Sequence, residues 1–288
     1  FSANPEDYTN RGNIITPLKD RIDSQIITHY PETMADALQI TNQEAWVARD
    51  SRVKLEVPGF IREAIEEIAF QARESEYVDQ SSGVSARLAI SALENVISNM
   101  ERRAAVHRLE ATWARVADLY AALPAVTGKI ELVYEGEQEG LAKVARLLAG
   151  KALAKVFKRY FPEAYKAKPR GGARTGGAAS IAAAGAAIDD SSPYRDVVGW
   201  FTRGNKLDLG DEISDVEYRR LLDQVTGLKG IAAKHWQTKD DAEVYVAMEL
   251  VLEGLHQNSL LSKEDLDHGV AYGDMLQTMF SGLGREED

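Results

Sequence analysis

A chain of 288 residues with 44% hydrophobic and 27% charged residues has the balance of a globular protein and the length for two ordinary domains. It contains no cysteine, which excludes a disulfide framework or a thiolate metal site and points to a cytoplasmic home. Its net charge of −11 is uneven, with 21 acids against 10 bases from Asp189 to Asp288 and 24 of each before them, so the last third is a poor surface for DNA.

The chain opens on FSANPEDYTNRGNIITPLKDRI, which lacks the charged start, apolar run and cleavage site of a secretory signal. FSANP reads as the end of a buried strand entering a loop at Asn4 and Pro5. SQIITHY, residues 24–30, reads as a second strand. Thr41 and Glu44 in TNQEAW have the spacing of a capping box and predict a helix start there. Apolar residues recur with a 3.6-residue period through Phe60, Ile61, Ala64, Ile65 and Ile68, and again through Leu88, Ala92, Val96 and Met100, so both stretches predict helices.

KIELVY (129–134) reads as a short strand. The carboxylates Glu131, Glu135, Glu137 and Glu139 around YEGEQEG could form a metal site, but fit a solvated acidic turn better. The five histidines form no H-x-x-x-H or H-E-x-x-H pair, which argues against a zinc enzyme; no metal ligand is assigned.

Residues 142–174 carry ten bases and one acid, Glu163. The amphipathic helix predicted over 141–161 therefore has two readings: a packed helix with a charged outer face, or a surface for a membrane or nucleic acid. The Gly/Ala/Ser-rich stretch 168–192 reads as a flexible linker. Beyond it YRDVVGWF, SDVEYRRLLDQVTGL, DDAEVYVAMELVLEGLHQ and SKEDLDHGVAYGDMLQTMF predict four helices, the last capped by Ser262 and Asp265. No apolar run approaches the 18 or so residues that span a bilayer, so no membrane span is expected. The fold class expected is mainly α.

The opening stretch resembles AAA+ ATPases of the magnesium-chelatase I-subunit and MoxR type. In that family an Asn-Pro pair ends a core strand, a variable loop follows, and a Leu-x-Asp-Arg run precedes the last core strand. Here these are Asn4-Pro5, the loop to Pro17, and Leu18-Lys19-Asp20-Arg21 before SQIITHYP. The resemblance implies that Asn4 is the sensor 1 residue, which orients the attacking water and reads the γ-phosphate. It implies that Arg21 is an arginine finger acting on a neighbouring subunit's nucleotide, with Arg11 a weaker candidate for that role. A guanidinium supplied in trans stabilises the charge that spreads over the γ-oxygens. GVSARLAISALENVI resembles the start of the family's third lid helix, which makes Arg87 the sensor 2 residue, in contact with the phosphates.

The resemblance covers about residues 1–105. It divides the chain into the end of an AAA+ α/β core (1–30), a helical lid (31–105), a helical extension (106–167), the linker (168–192) and a C-terminal helical domain (193–288). No G-x-x-x-x-G-K-[ST] occurs in the sequence, and no apolar run ends in Asp-Glu. The expectation is the C-terminal portion of a longer ATPase that does not itself hydrolyse ATP. The resemblance implies that the parent uses ATP and Mg²⁺, forms a homo-oligomeric ring of six subunits, and remodels a partner that carries a von Willebrand factor A domain. The alternative is a non-catalytic helical scaffold whose basic stretch and acidic C-terminal region bind a partner.

Overall fold

The computed structural model describes residues 17, 20–24, 26–49, 52–80, 82–164, 191–266 and 269–275. Asn4, Arg11, the first expected strand and the linker, apart from Ser191 and Ser192, lie outside the described residues. The described chain is mainly helical with two small sheets.

Helix α1, Met34–Glu44, begins at Thr33, whose hydroxyl accepts the Asp36 N–H. The expected start at Thr41 is therefore displaced. Thr41 lies in the last turn of α1, where its carbonyl accepts the Ala45 N–H. Strand β1 (Lys54–Glu56) leads to α2 (Gly59–Glu74), which starts behind Pro58. Next come α3 (Leu88–His107), β2 (Ala111–Trp113), and the short helices α4 (Val116–Ala121), α5 (Leu123–Thr127) and α6 (Tyr134–Glu139). KIELVY is thus not a strand. It contributes one bridge, Leu132 to Val78, and its end enters α6.

Helix α7 (Leu141–Tyr160) turns Val144, Leu148, Ala152, Val156 and Phe157 inward. Of its outward bases, Lys155 pairs with Glu67 at 2.6 Å and Arg159 with Glu63 and Glu67 at 3.0 and 2.7 Å. The packed reading of this basic helix is the one observed: α7 lies along α2 with an acidic stripe of α2 opposite its bases. The Tyr160 hydroxyl also donates to Glu63; burial, then that carboxylate, push the phenol up to about 12.

The C-terminal part contains α8 (Arg195–Thr202), β3 (Leu207–Gly210), α9 (Asp215–Asp223), α10 (Leu228–His235) and α11 (Asp241–Gln257). Thirteen of the 17 residues of α11 are buried, so it is a central helix surrounded by neighbours and not an amphipathic surface one. It packs against α7, α10, α9 and α4. The expected helix from Ser262 is instead a hairpin, β4 (Ser262–Leu266) with β5 (Gly269–Gly273), and β3 pairs along the other edge of β5. The reason is Gly269, whose φ of +138° belongs to no helix and whose absent Cβ would sit 2.2 Å from the Leu209 carbonyl oxygen. Ser262 and Asp265 mimic a cap, but the glycine decides the backbone.

One hydrophobic core runs from Ala45 to Tyr272 and takes residues from α2, α3, α4, α7, α8, α10 and α11. Beta strands β1 and β2 pair in parallel. The fully buried Arg103 of α3 bonds Asp118 of α4, Thr112 and the Trp113 carbonyl, locking that sheet to the helices.

Candidate functional site

Of residues 24–30, expected as a closing strand, 24 and 26–30 are described and form none. They make no backbone-to-backbone hydrogen bond among the described residues. Ile26 and Ile27 are 90% and 80% exposed. A β-type sequence forms a strand only when another strand supplies its hydrogen bonds, and none of the described strands lies beside it.

Tyr30 anchors the end of this segment. Its ring lies under the Arg73 guanidinium, 4.1 Å from centroid to cation, and its hydroxyl accepts the Val84 N–H at 3.0 Å. That N–H belongs to the loop that starts α3. Gly83 turns the loop at a φ of 73°. Ser85 receives the Arg87 N–H on its hydroxyl and the Leu88 N–H on its carbonyl, while its own N–H donates to the Lys129 carbonyl.

Arg87 is the residue just before α3, and its side chain is exposed. Its guanidinium makes no ion pair or hydrogen bond among the described residues. Arg21 lies in a turn, exposed and equally without a partner among the described residues. Most other arginines of this half are engaged: Arg49 with Glu101, Ser98 and the Glu94 carbonyl, Arg103 with Asp118, and Arg115 with Asp215. The structure thus ties the chain that follows Arg21 to the loop that carries Arg87, through Tyr30. Asn4 lies outside the described residues. No group of three His, Asp or Glu side chains among the described residues is placed to hold a metal ion.

A polar network unforeseen in the sequence lies at the other end of the fold. Glu253 of α11 is fully buried and accepts from four donors: the Tyr120 and Tyr272 hydroxyls at 2.7 and 3.1 Å, Lys263 Nζ at 2.7 Å and Gln257 at 3.1 Å. Burial, the largest single effect, raises its pKa, but Lys263, the Tyr120 hydroxyl and His256 together more than offset this, so the carboxyl sits below the usual range. The Lys263 ammonium also stacks on Tyr120, 3.7 Å from the ring centroid. Three of these groups, Tyr120, Gln257 and Lys263, line a cleft of about 470 Å³ between α7 and β4, which also carries Lys143, Arg146, His256 and Asp265. One sequence signal for it existed: Glu249 and Glu253, one turn apart within an otherwise apolar helix.

Comparison with family models, with curated proteins and with solved structures finds no match to this chain. No helix among the described residues is long and apolar enough to cross a membrane.

Proposed function

We propose that this chain is the C-terminal part of a ring-forming AAA+ ATPase of the magnesium-chelatase I-subunit type, which couples ATP hydrolysis to remodelling of, or metal insertion into, a partner protein. The observation that carries this reading is Arg87: an exposed arginine without a carboxylate partner among the described residues, at the start of a helix with one buried face, on a loop joined to the Arg21 segment through Tyr30. A free guanidinium is a strong bidentate donor to phosphate. Its position against the helix dipole offers no stability in return, which favours a ligand-binding role. The exposed Ile26 and Ile27 are suited to lie in a sheet supplied by the rest of a nucleotide-binding core.

In this reading Asn4 orients the attacking water, Arg87 contacts the phosphates from its own subunit, and Arg21 reaches those of a neighbour. Mg²⁺ in this reading enters with the ATP substrate. A finger that acts in trans requires a homo-oligomeric ring, here of six subunits. The von Willebrand factor A domain protein is the remodelled partner, and the cytoplasm is the site of action.

The test uses the natural gene product that carries this chain. Arg21→Ala abolishes ATP turnover and leaves nucleotide binding intact, while Arg87→Ala weakens both. Turnover retained in Arg21→Ala removes that residue from the mechanism. An intact protein that neither binds nor hydrolyses ATP overturns the reading in favour of the helical scaffold.

A further inference from the structure

Adjoining the cleft, and sharing Tyr120, Arg146, Lys263 and Asp265 with it, is a smaller half-open cavity of about 170 Å³ lined from α4, α11, β4 and β5. Its wall includes Asp211, Glu249, Asp265, Arg146 and Lys263. Both cations are engaged: Arg146 bonds Asp265 at 2.8 Å, and Lys263 bonds Glu253 at 2.7 Å. Deeper in, Arg103 is paired with Asp118 and Arg115 with Asp215.

Each of these cations thus has its own carboxylate, and among the described residues Glu249 makes no ion pair. It is 1% exposed. Its Oε2 accepts the Val116 N–H at 3.0 Å and the Tyr218 hydroxyl at 2.8 Å. Its Oε1 takes no hydrogen bond among the described residues and is the acceptor left for whatever fills the cavity. Burial outweighs these bonds and the field of Arg115, and raises the carboxyl above its usual range. A buried carboxylate without a counter-ion is costly, and a cation beside it removes most of that cost.

We propose that this cavity binds a small primary-ammonium ligand, with Glu249 as its counter-ion. The ammonium donates to Glu249 Oε1, and its methylenes lie against Ala117, Ala121 and Val270, which also line the cavity. The volume is below the roughly 300 Å³ at which sites for drug-sized ligands begin, so a short alkylamine fits and a nucleotide does not. A bare metal ion needs several oxygen ligands, and no such group is in place. The Arg146–Asp265 pair, whose side chains are 50% and 52% exposed, lines both the cleft and the cavity. Exposed pairs of this kind are weak and open readily.

The test titrates the full chain with n-butylammonium chloride in an amine-free buffer, against sodium and tetramethylammonium chlorides at equal ionic strength. The result expected is a saturable heat and a raised unfolding midpoint with butylammonium alone. Glu249→Gln, which keeps an acceptor and loses the charge, weakens binding at least tenfold, and Ala117→Met, which fills the cavity, abolishes it. Butylammonium indistinguishable from tetramethylammonium in the unmodified chain overturns the proposal, whatever the variants do. Unchanged binding in a folded Glu249→Gln or Ala117→Met protein also overturns it.

Discussion

The Lys263 ammonium lies 2.7 Å from the Glu253 carboxylate, with the lysine side chain 7% exposed and the glutamate fully enclosed. The pair joins the hairpin to the central helix. Removing one member leaves a buried charge uncompensated, so Lys263→Met is expected to cost about 3–5 kcal/mol at pH 7. The sign with pH follows from the lowered Glu253 carboxyl. Its stabilising contribution is present above the usual carboxylate value and is lost as pH falls through the folded one. Urea unfolding of both proteins at pH 7 and at pH 3 measures this; the gap between them narrows at the lower pH.

The long helices were legible because burial on one face writes a 3.6-residue period, as along Phe60 to Ile68 and Val144 to Phe157. The hairpin was not, because Ser262 and Asp265 carry the side chains of a helix cap while the decisive fact is the backbone of Gly269 against Leu209. The cleft was hidden for another reason. Tyr120, Arg146, Gln257 and Lys263 come from four elements far apart in sequence, and only tertiary packing makes them neighbours. The tie between the Arg87 loop and Tyr30 was hidden too, since a tyrosine hydroxyl accepting one backbone N–H leaves no pattern.

Gly254 of α11 faces the ring of Phe157 on α7. A Cβ at that position would lie 2.3 Å from the ring carbons, and Phe157 is fully buried between Phe161 and Tyr194. The ring cannot swing away, so the two helices must separate. Gly254→Ala is expected to destabilise by about 1–3 kcal/mol through overpacking, despite the better helix propensity of alanine. Thermal unfolding of the variant checks this; an unchanged or higher midpoint would show that the helices accommodate a methyl group.

Arg21 and Arg87 are both exposed and without ionic partners among the described residues. Alanine at either position is expected to change unfolding free energy by no more than about 0.5 kcal/mol. Denaturant titration of the two variants therefore separates a ligand-facing role from a structural one. A loss of several kcal/mol at Arg87 would mean that the guanidinium supports the fold, and would weaken its assignment to phosphate.

Glu249 gives the opposite pH dependence to Glu253. Burial raises its carboxyl, Tyr218 and Val116 oppose that by hydrogen bonding, Arg115 opposes it by charge, and Asp118 reinforces it. The folded chain therefore holds this proton more tightly than the unfolded chain. The resulting stabilisation is present below the usual carboxylate value and is lost as pH rises through the folded one. Glu249→Gln keeps an acceptor for the Val116 N–H and the Tyr218 hydroxyl but cannot ionise. In amine-free buffer the variant is expected to match the wild type at pH 4 and to be the more stable of the two at pH 8. Urea unfolding at the two pH values decides. A variant less stable at both would show that the ionised carboxylate is held by its neighbours after all.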